Sequence, residues 1–137
     1  MNTKIISKLL LTLGLVFVLG SAITQVHGQV TIHSTGDVTR GQIGSFVLEA
    51  HTVPWGWDGY VNFSVSGTAI PGVDYAPLVS PVLLHRWIPC DMCTPAWRGV
   101  ILVKTLPDLR GAFFPQPYSV VVTLELGGPS AQLMINP

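Results

Sequence analysis

Short alternations of apolar and polar residues, separated by turn residues, run along this chain from residue 29 onward. The alternation is clearest in residues 118–126, where Val120, Val122, Leu124 and Leu126 occupy every second position. A period of two is typical of a strand with one buried face. The pattern predicts seven strands, at residues 29–33, 45–51, 60–66, 79–87, 98–106, 118–126 and 131–135.

Two of these segments depart from the simple pattern. Val100, Ile101, Leu102 and Val103 form a continuous apolar run, which predicts that the fifth strand is buried on both faces. Pro81 lies near the start of the fourth strand and has no backbone donor, which favours a sheet edge there. Short strands without a helical period predict an all-β fold, a seven-stranded antiparallel β-sandwich of immunoglobulin-like type.

The first residues have a different pattern. Lys4 and Lys8 precede an apolar run at residues 9–20, which is short for a membrane helix. Residues 26–28, Val-His-Gly, then supply the small −3/−1 pair that a signal peptidase accepts. These features predict a signal peptide, and therefore a secreted or periplasmic protein.

We accordingly expect a signal peptide at residues 1–28 and a single domain at residues 29–137. Cleavage after Ala22 and an uncleaved anchor are the alternatives. Loss of residues 1–28 leaves five basic and seven acidic residues, a formal net charge of −2. A domain with this balance lacks a basic face for phosphates, which disfavours nucleic acid as a partner.

The composition also bears on the surface. Charged residues make up 10% of the chain and apolar residues 48%, although the leader inflates the second value. A surface so poor in charge indicates that part of it contacts another surface.

The loop between the third and fourth strands has the sequence Gly67-Thr68-Ala69-Ile70-Pro71-Gly72-Val73-Asp74-Tyr75. Its glycines and proline favour a turn, in which Asp74 can accept hydrogen bonds from nearby amides and Tyr75 can bury its ring. Gly-Thr-Ala followed by Gly-x-Asp-Tyr resembles the signature of Calx-β domains, which are small extracellular-type β-sandwiches. The resemblance extends to later strands and covers nearly all of the domain, at residues 103–108, 118–124 and 130–135.

The resemblance implies a Ca²⁺ site, because Calx-β domains with a regulatory function bind Ca²⁺ through acidic residues at one end of the sandwich. Asp74 matches the loop aspartate of the family and Asp108 its acidic turn. Residues 109–111, Leu-Arg-Gly, stand where the family has further acids. Ca²⁺ takes roughly six to eight oxygen ligands, so these two carboxylates predict no resident cofactor and at best a weak Ca²⁺ site. Capping of turns is the simpler role for both aspartates.

Cys90 and Cys93 are the only cysteines. In a secreted protein two nearby thiols predict a disulfide, here one that stiffens a loop. A metal site would need two more ligands, and His85 is the only close histidine. A catalytic redox pair usually lies at a helix N-terminus, and no helix is predicted.

Tryptophans form the last group of candidates. Trp55 and Trp57 lie in a loop rich in glycine and proline, where indoles suit sugar rings or apolar pockets of a partner. They are the predicted partner-binding residues, and plugging an open end of the sandwich is their alternative role. Trp87 lies close to strand periodicity, which predicts that it is such a plug.

Catalytic patterns are weak. No Gly-x-Ser-x-Gly elbow occurs, and the histidines are scattered. We therefore expect a non-enzymatic binding or adhesion module whose partner is a protein or carbohydrate surface, or a second copy of the chain. Neither nucleic acid nor, after signal cleavage, a membrane is an expected partner. A weak Ca²⁺-binding domain and a thiol–disulfide or metal-site protein are the alternatives.

Overall fold

The computed structural model describes residues 29–53, 55–88, 90–107, 115–125 and 128–137, and the secondary structure in these ranges is entirely β. The expected signal peptide and Asp108 lie outside the described residues. Within the described ranges, no helix is long and apolar enough to span a membrane. The strands are β1 (Val30–Ser34), β2 (Val38–Thr39), β3 (Ile43–Ala50), β4 (Tyr60–Val61), β5 (Phe63–Ser66), β6 (Val82–Leu83), β7 (His85–Trp87), β8 (Ala96–Lys104), β9 (Tyr118–Leu124) and β10 (Ser130–Asn136).

Eight strands form two four-stranded sheets, and β4 pairs with β6 in a short ribbon. The first sheet has the order β1-β3-β8-β7, with antiparallel neighbours throughout. The second has the order β2-β10-β9-β5, in which β2 runs parallel to β10. The all-β prediction is confirmed, whereas a wholly antiparallel arrangement is wrong at β2.

Buried side chains of both sheets form one apolar core. Phe46 and Leu48 of β3 lie in the same cluster as Val120 of β9 and Leu133 of β10. The alternation predicted for residues 118–126 is seen in β9, whose every second side chain is buried. Shared burial by two sheets is consistent with a β-sandwich.

The described residues form ten strands rather than seven. The predicted third strand is divided at Asn62, because β4 pairs with β6 whereas β5 pairs with β9. The predicted fourth strand is reduced to β6 and β7, since residues 79–81 pair with no strand. The two-residue β2 was missed because it lies in a segment rich in turn residues.

Strand β8 is not buried on both faces as its apolar run predicts. Ile101 and Val103 lie in the interior, but Val100 is 47% exposed and Leu102 61% exposed. The strand therefore alternates like a strand on the surface of the molecule, and two of its outward positions, Val100 and Leu102, are apolar. The apolar run arises because both faces of the strand carry aliphatic residues. Only one of the two faces is covered by the core.

Candidate functional site

The loop at residues 67–75 lies against β9. Gly67 has a φ of 117°, and a Cβ at this position would collide with the Ser119 carbonyl, so glycine is required there. The Ala69 amide donates to that carbonyl at 2.9 Å. The Ser119 amide donates to Thr68 Oγ1 at 2.8 Å, and the Thr68 amide to Ser119 Oγ at 3.0 Å. Gly-Thr-Ala thus attaches the loop to the second sheet.

Asp74 is fully buried at the other end of this loop. Its Oδ2 accepts a hydrogen bond from the Ile70 amide at 2.6 Å, which closes the turn. Its Oδ1 lies 3.1 Å from Nη2 of Arg40, whose side chain is also buried. The guanidinium lies over the ring of Tyr118, 5.4 Å from its centroid. Asp74 therefore caps a turn and forms a buried ion pair.

The surroundings of Asp74 do not fit a Ca²⁺ site made from the described residues. A cation would have to displace the Arg40 guanidinium from Oδ1. No group of three or more His, Cys, Asp or Glu side chains suited to a metal occurs among the residues described. The other predicted ligand, Asp108, lies outside them.

Tyr75 follows Asp74 and is likewise buried. It bridges to Thr105, and the next amide, that of Ala76, donates to the Lys104 carbonyl at 2.9 Å. Burial, and secondly the negative charge of Asp74, raise the pKa of the Tyr75 hydroxyl above its ordinary value. The loop at residues 67–75 is thus a structural connection between the sheets, with its charged group enclosed.

The other candidate loop, residues 51–59, follows β3 and is fixed at its end by Gly59. This residue has a φ of 82°, and a Cβ would come within 2.7 Å of the Leu84 carbonyl. The Leu84 amide donates to the Gly59 carbonyl at 2.8 Å. Asp58 accepts a hydrogen bond from the Tyr60 amide at 3.1 Å. The Asp-Gly pair therefore holds the end of the loop against the chain that precedes β7.

The two tryptophans of this loop have different environments. Trp57 is half-buried against the core and meets Trp97 edge-to-face, with ring centroids 5.4 Å apart and an interplanar angle of 66°. Trp55 is fully exposed. One indole thus anchors the loop and the other is available to a partner.

The disulfide predicted between Cys90 and Cys93 is confirmed. It lies in the loop that joins β7 to β8, and the Cys93 amide donates to the Cys90 carbonyl at 3.1 Å, which makes a tight turn. Met92, between the two cysteines, is fully exposed, and Ile88 is half-exposed. These apolar loop residues were not among the predicted site residues. Their position beside the cysteines, in a loop with few charges, was the available signal.

Both loops leave the first sheet at the same end. Ala50, the last residue of β3, pairs with Trp97, and Ala96 pairs with Trp87 across the β7–β8 hairpin. We call residues 51–59 together with residues 87–97 the tryptophan end. It presents the exposed apolar side chains of Trp55, Trp87, Ile88 and Met92.

The prediction for Trp87 is wrong, since 44% of its surface is exposed. The Arg98 guanidinium lies over its ring, 5.3 Å from the centroid, and also 3.4 Å from Glu49. Trp97 is the tryptophan that packs inward, because its position in β8 places its side chain on the face that meets the core.

No protein-family model matches the chain, and no curated protein matches it.

Proposed function

We propose that the protein is a secreted, non-enzymatic binding or adhesion module with a Calx-β-like, immunoglobulin-type sandwich. It attaches through the tryptophan end to a protein or carbohydrate surface, or to a second copy of itself. The single observation that carries this proposal is the full exposure of Trp55 beside Trp57, which is held by Trp97.

The energetic basis is the area of the exposed side chains. A tryptophan can remove about 150–250 Å² from water, and burial of apolar area is worth about 25 cal/mol per Å². Covering Trp55 alone therefore offers on the order of 4 kcal/mol before the losses of association. Those losses are reduced where the binding loop is already ordered. The Gly59–Leu84 contact and the Cys90–Cys93 disulfide provide such order here.

Secretion is supported by the leader-like residues 1–28 and by the disulfide, which is typical of oxidising compartments. The Calx-β resemblance is supported by the loop at residues 67–75, whose glycine, aspartate and tyrosine each have a structural role. A non-enzymatic role is supported by the pairing of both cysteines and by the enclosure of Asp74 against Arg40.

The test compares Trp55→Ser with Ile43→Ser. Ile43 is 62% exposed and lies at the opposite end of β3, so it is a matched apolar control. Retention of each variant is measured on immobilised polysaccharides and on immobilised secreted proteins of the native host, and self-association by sedimentation velocity. We expect Trp55→Ser to lose most of the wild-type retention or association and Ile43→Ser to keep it. If the two variants behave alike on every surface, the tryptophan end is not the binding site.

A further inference from the structure

The start of β5 contains the tripeptide Asn62-Phe63-Ser64. Asparagine followed two residues later by serine or threonine, with any residue except proline between them, is the acceptor motif for N-linked glycans in secreted proteins. The chain has two other asparagines. Asn2 is followed two residues later by lysine, and Asn136 directly by proline. Asn62 is therefore the one asparagine of this sequence that has the acceptor motif.

Both polar residues of the motif are accessible in the fold. Asn62 lies between β4 and β5 and is exposed, Phe63 is buried, and Ser64 is exposed again. The Asn62 carbonyl accepts a hydrogen bond from the Glu125 amide at 3.1 Å, which extends the pairing of β5 with β9 by one residue. Because side chains alternate along a strand, Asn62 and Ser64 lie on the outer face of the second sheet. A glycan on Asn62 would displace no core side chain.

The second sheet differs from the first in its charge. Its strands β2, β5, β9 and β10 contain no Asp, Glu, Lys, Arg or His. The outer face of the first sheet, in contrast, carries Glu49, Arg98 and Lys104. Many outer positions of the second sheet are hydroxyl residues, namely Ser64, Ser66, Ser119, Thr123 and Ser130. The motif thus lies at the edge of a polar face without charge.

A carbohydrate fits this face better than a protein does. Ser64 pairs with Thr123, which pairs with Ser130, so that three hydroxyl residues form a row across three strands. This row begins two residues from Asn62 and extends over about 10 Å, which is two strand spacings. The centre of a protein interface is built on aromatic or aliphatic anchors, and no exposed large apolar side chain of the described ranges belongs to this sheet.

We propose that Asn62 is an N-glycosylation site and that its glycan covers the outer face of the second sheet. A glycan is bulky and hydrophilic, so it keeps apart copies of a domain whose surface has few charges to repel one another. The inference rests on the secretion proposed above, because the glycan is added in the secretory compartment. It does not depend on binding through the tryptophan end.

The modification is a group transfer from an oligosaccharide that is linked to a lipid diphosphate. The side-chain nitrogen Nδ2 of Asn62 forms a bond to the anomeric carbon of the first sugar. The bond between that carbon and the phosphate oxygen breaks, and the lipid diphosphate leaves with the electron pair. Nδ2 gives up one proton to a base of the oligosaccharyltransferase, so that the product is a neutral glycosyl amide.

The experiment uses the full chain secreted by its native host. Intact-mass spectrometry is carried out before and after treatment with a peptide N-glycosidase, which releases the glycan and leaves aspartate in place of the modified asparagine. Peptide sequencing after release in heavy-oxygen water identifies the labelled position. Ser64→Ala removes the acceptor hydroxyl and Ser64→Thr keeps it. Ser66→Ala is the matched control, because Ser66 lies on the same strand and face but outside the motif.

We expect the wild type, Ser64→Thr and Ser66→Ala to carry a glycan at Asn62, and Ser64→Ala to be secreted without it. A secreted wild type that lacks residues 1–28 and has the mass of the bare polypeptide would overturn this inference and leave the proposed secretion intact. A chain that retains Lys4 and Lys8 would instead contradict the secretion itself.

The covering of the second sheet is tested separately. Removal of the glycan from the folded protein should increase self-association in sedimentation velocity, in Trp55→Ser as much as in the wild type. Unchanged association after removal would overturn the covering role. An increase that Trp55→Ser abolishes would also overturn it, because the contact would then belong to the tryptophan end.

Discussion

Arg40 and Asp74 form an ion pair of 3.1 Å in the interior, between the segment after β2 and the loop at residues 67–75. Both side chains are almost completely withdrawn from water, at 7% and 0% exposure. A buried ion pair adds little to stability relative to an apolar pair of the same shape. Loss of one partner nevertheless destabilises the protein, because it leaves a buried charge uncompensated. The pair therefore acts mainly as a constraint that holds the loop at residues 67–75 in one position.

We predict that Asp74→Asn lowers the free energy of unfolding by about 3 kcal/mol, because it removes one charge of a buried ion pair. Arg40→Met combined with Asp74→Asn should be less destabilised than the sum of the two single variants. Urea unfolding of the four proteins measures this coupling. Strict additivity would show that the two side chains do not depend on each other.

The same pair governs the response to Ca²⁺. Because Arg40 already neutralises Asp74, we predict that millimolar Ca²⁺ raises the melting temperature only slightly. A site with micromolar affinity would instead add about 4 kcal/mol at a thousandfold excess of ligand. Thermal melting with Ca²⁺ and with Mg²⁺ as control decides the matter. A shift of many degrees that Asp74→Asn abolishes would mean that the ion replaces Arg40.

Tyr75 provides a prediction for alkaline pH. Its folded-state pKa is raised, so the neutral hydroxyl is favoured in the native protein. Its contribution to stability is complete below the unfolded pKa of about 10, and is lost as the pH rises from there through the folded-state pKa. The slope in that window is at most about 1.4 kcal/mol per pH unit.

Tyr75→Phe should therefore make the free energy of unfolding fall less steeply above about pH 10 than in the wild type. Tyr60→Phe, which alters an exposed tyrosine, is the matched control and should keep the wild-type slope. Denaturant titrations on either side of this pH measure the difference. Equal slopes for the wild type and Tyr75→Phe would assign the alkaline loss of stability to other groups.

The processing of the chain is open to a direct measurement. We predict that the secreted protein begins at Gln29 and contains no free thiol, since Cys90 and Cys93 are paired. Intact-mass spectrometry before and after reduction tests both points at once. A mass that includes Lys4 and Lys8 would contradict the cleavage, and titratable thiols in the denatured, unreduced protein would contradict the pairing.

The period-two pattern was sufficient for the all-β class and for β1, β3, β9 and β10, because strands with a buried face must alternate. It was insufficient where one local pattern is compatible with two different structures. The apolar run at residues 100–103 is equally compatible with a covered and an uncovered outer face, and the choice depends on neighbouring strands. Only the fold shows that the outer positions Val100 and Leu102 are left exposed.

The candidate sites show the same limit. The disulfide follows from spacing and compartment, so it could be predicted. From the sequence alone, Asp74 can be interpreted as a metal ligand or as a turn cap. The choice depends on Arg40, which is distant in the chain but adjacent in the fold. Trp87 was predicted to plug the core, but its exposure depends on which face of the β7–β8 hairpin meets the core, and that is not visible in the local sequence.

The last prediction distinguishes the structural role of Trp57 from the proposed binding role of Trp55. Trp57→Ser removes the edge-to-face partner of Trp97 and part of the core boundary, so we expect a loss of about 2 kcal/mol, near half the value for a fully buried aromatic. Trp55→Ser removes a side chain that contacts only solvent, so its unfolding should match the wild type within about 0.5 kcal/mol. Denaturant unfolding of both variants gives these values side by side. If Trp55→Ser is as unstable as Trp57→Ser, then Trp55 supports the fold, and its exposure cannot be used to argue for a binding surface.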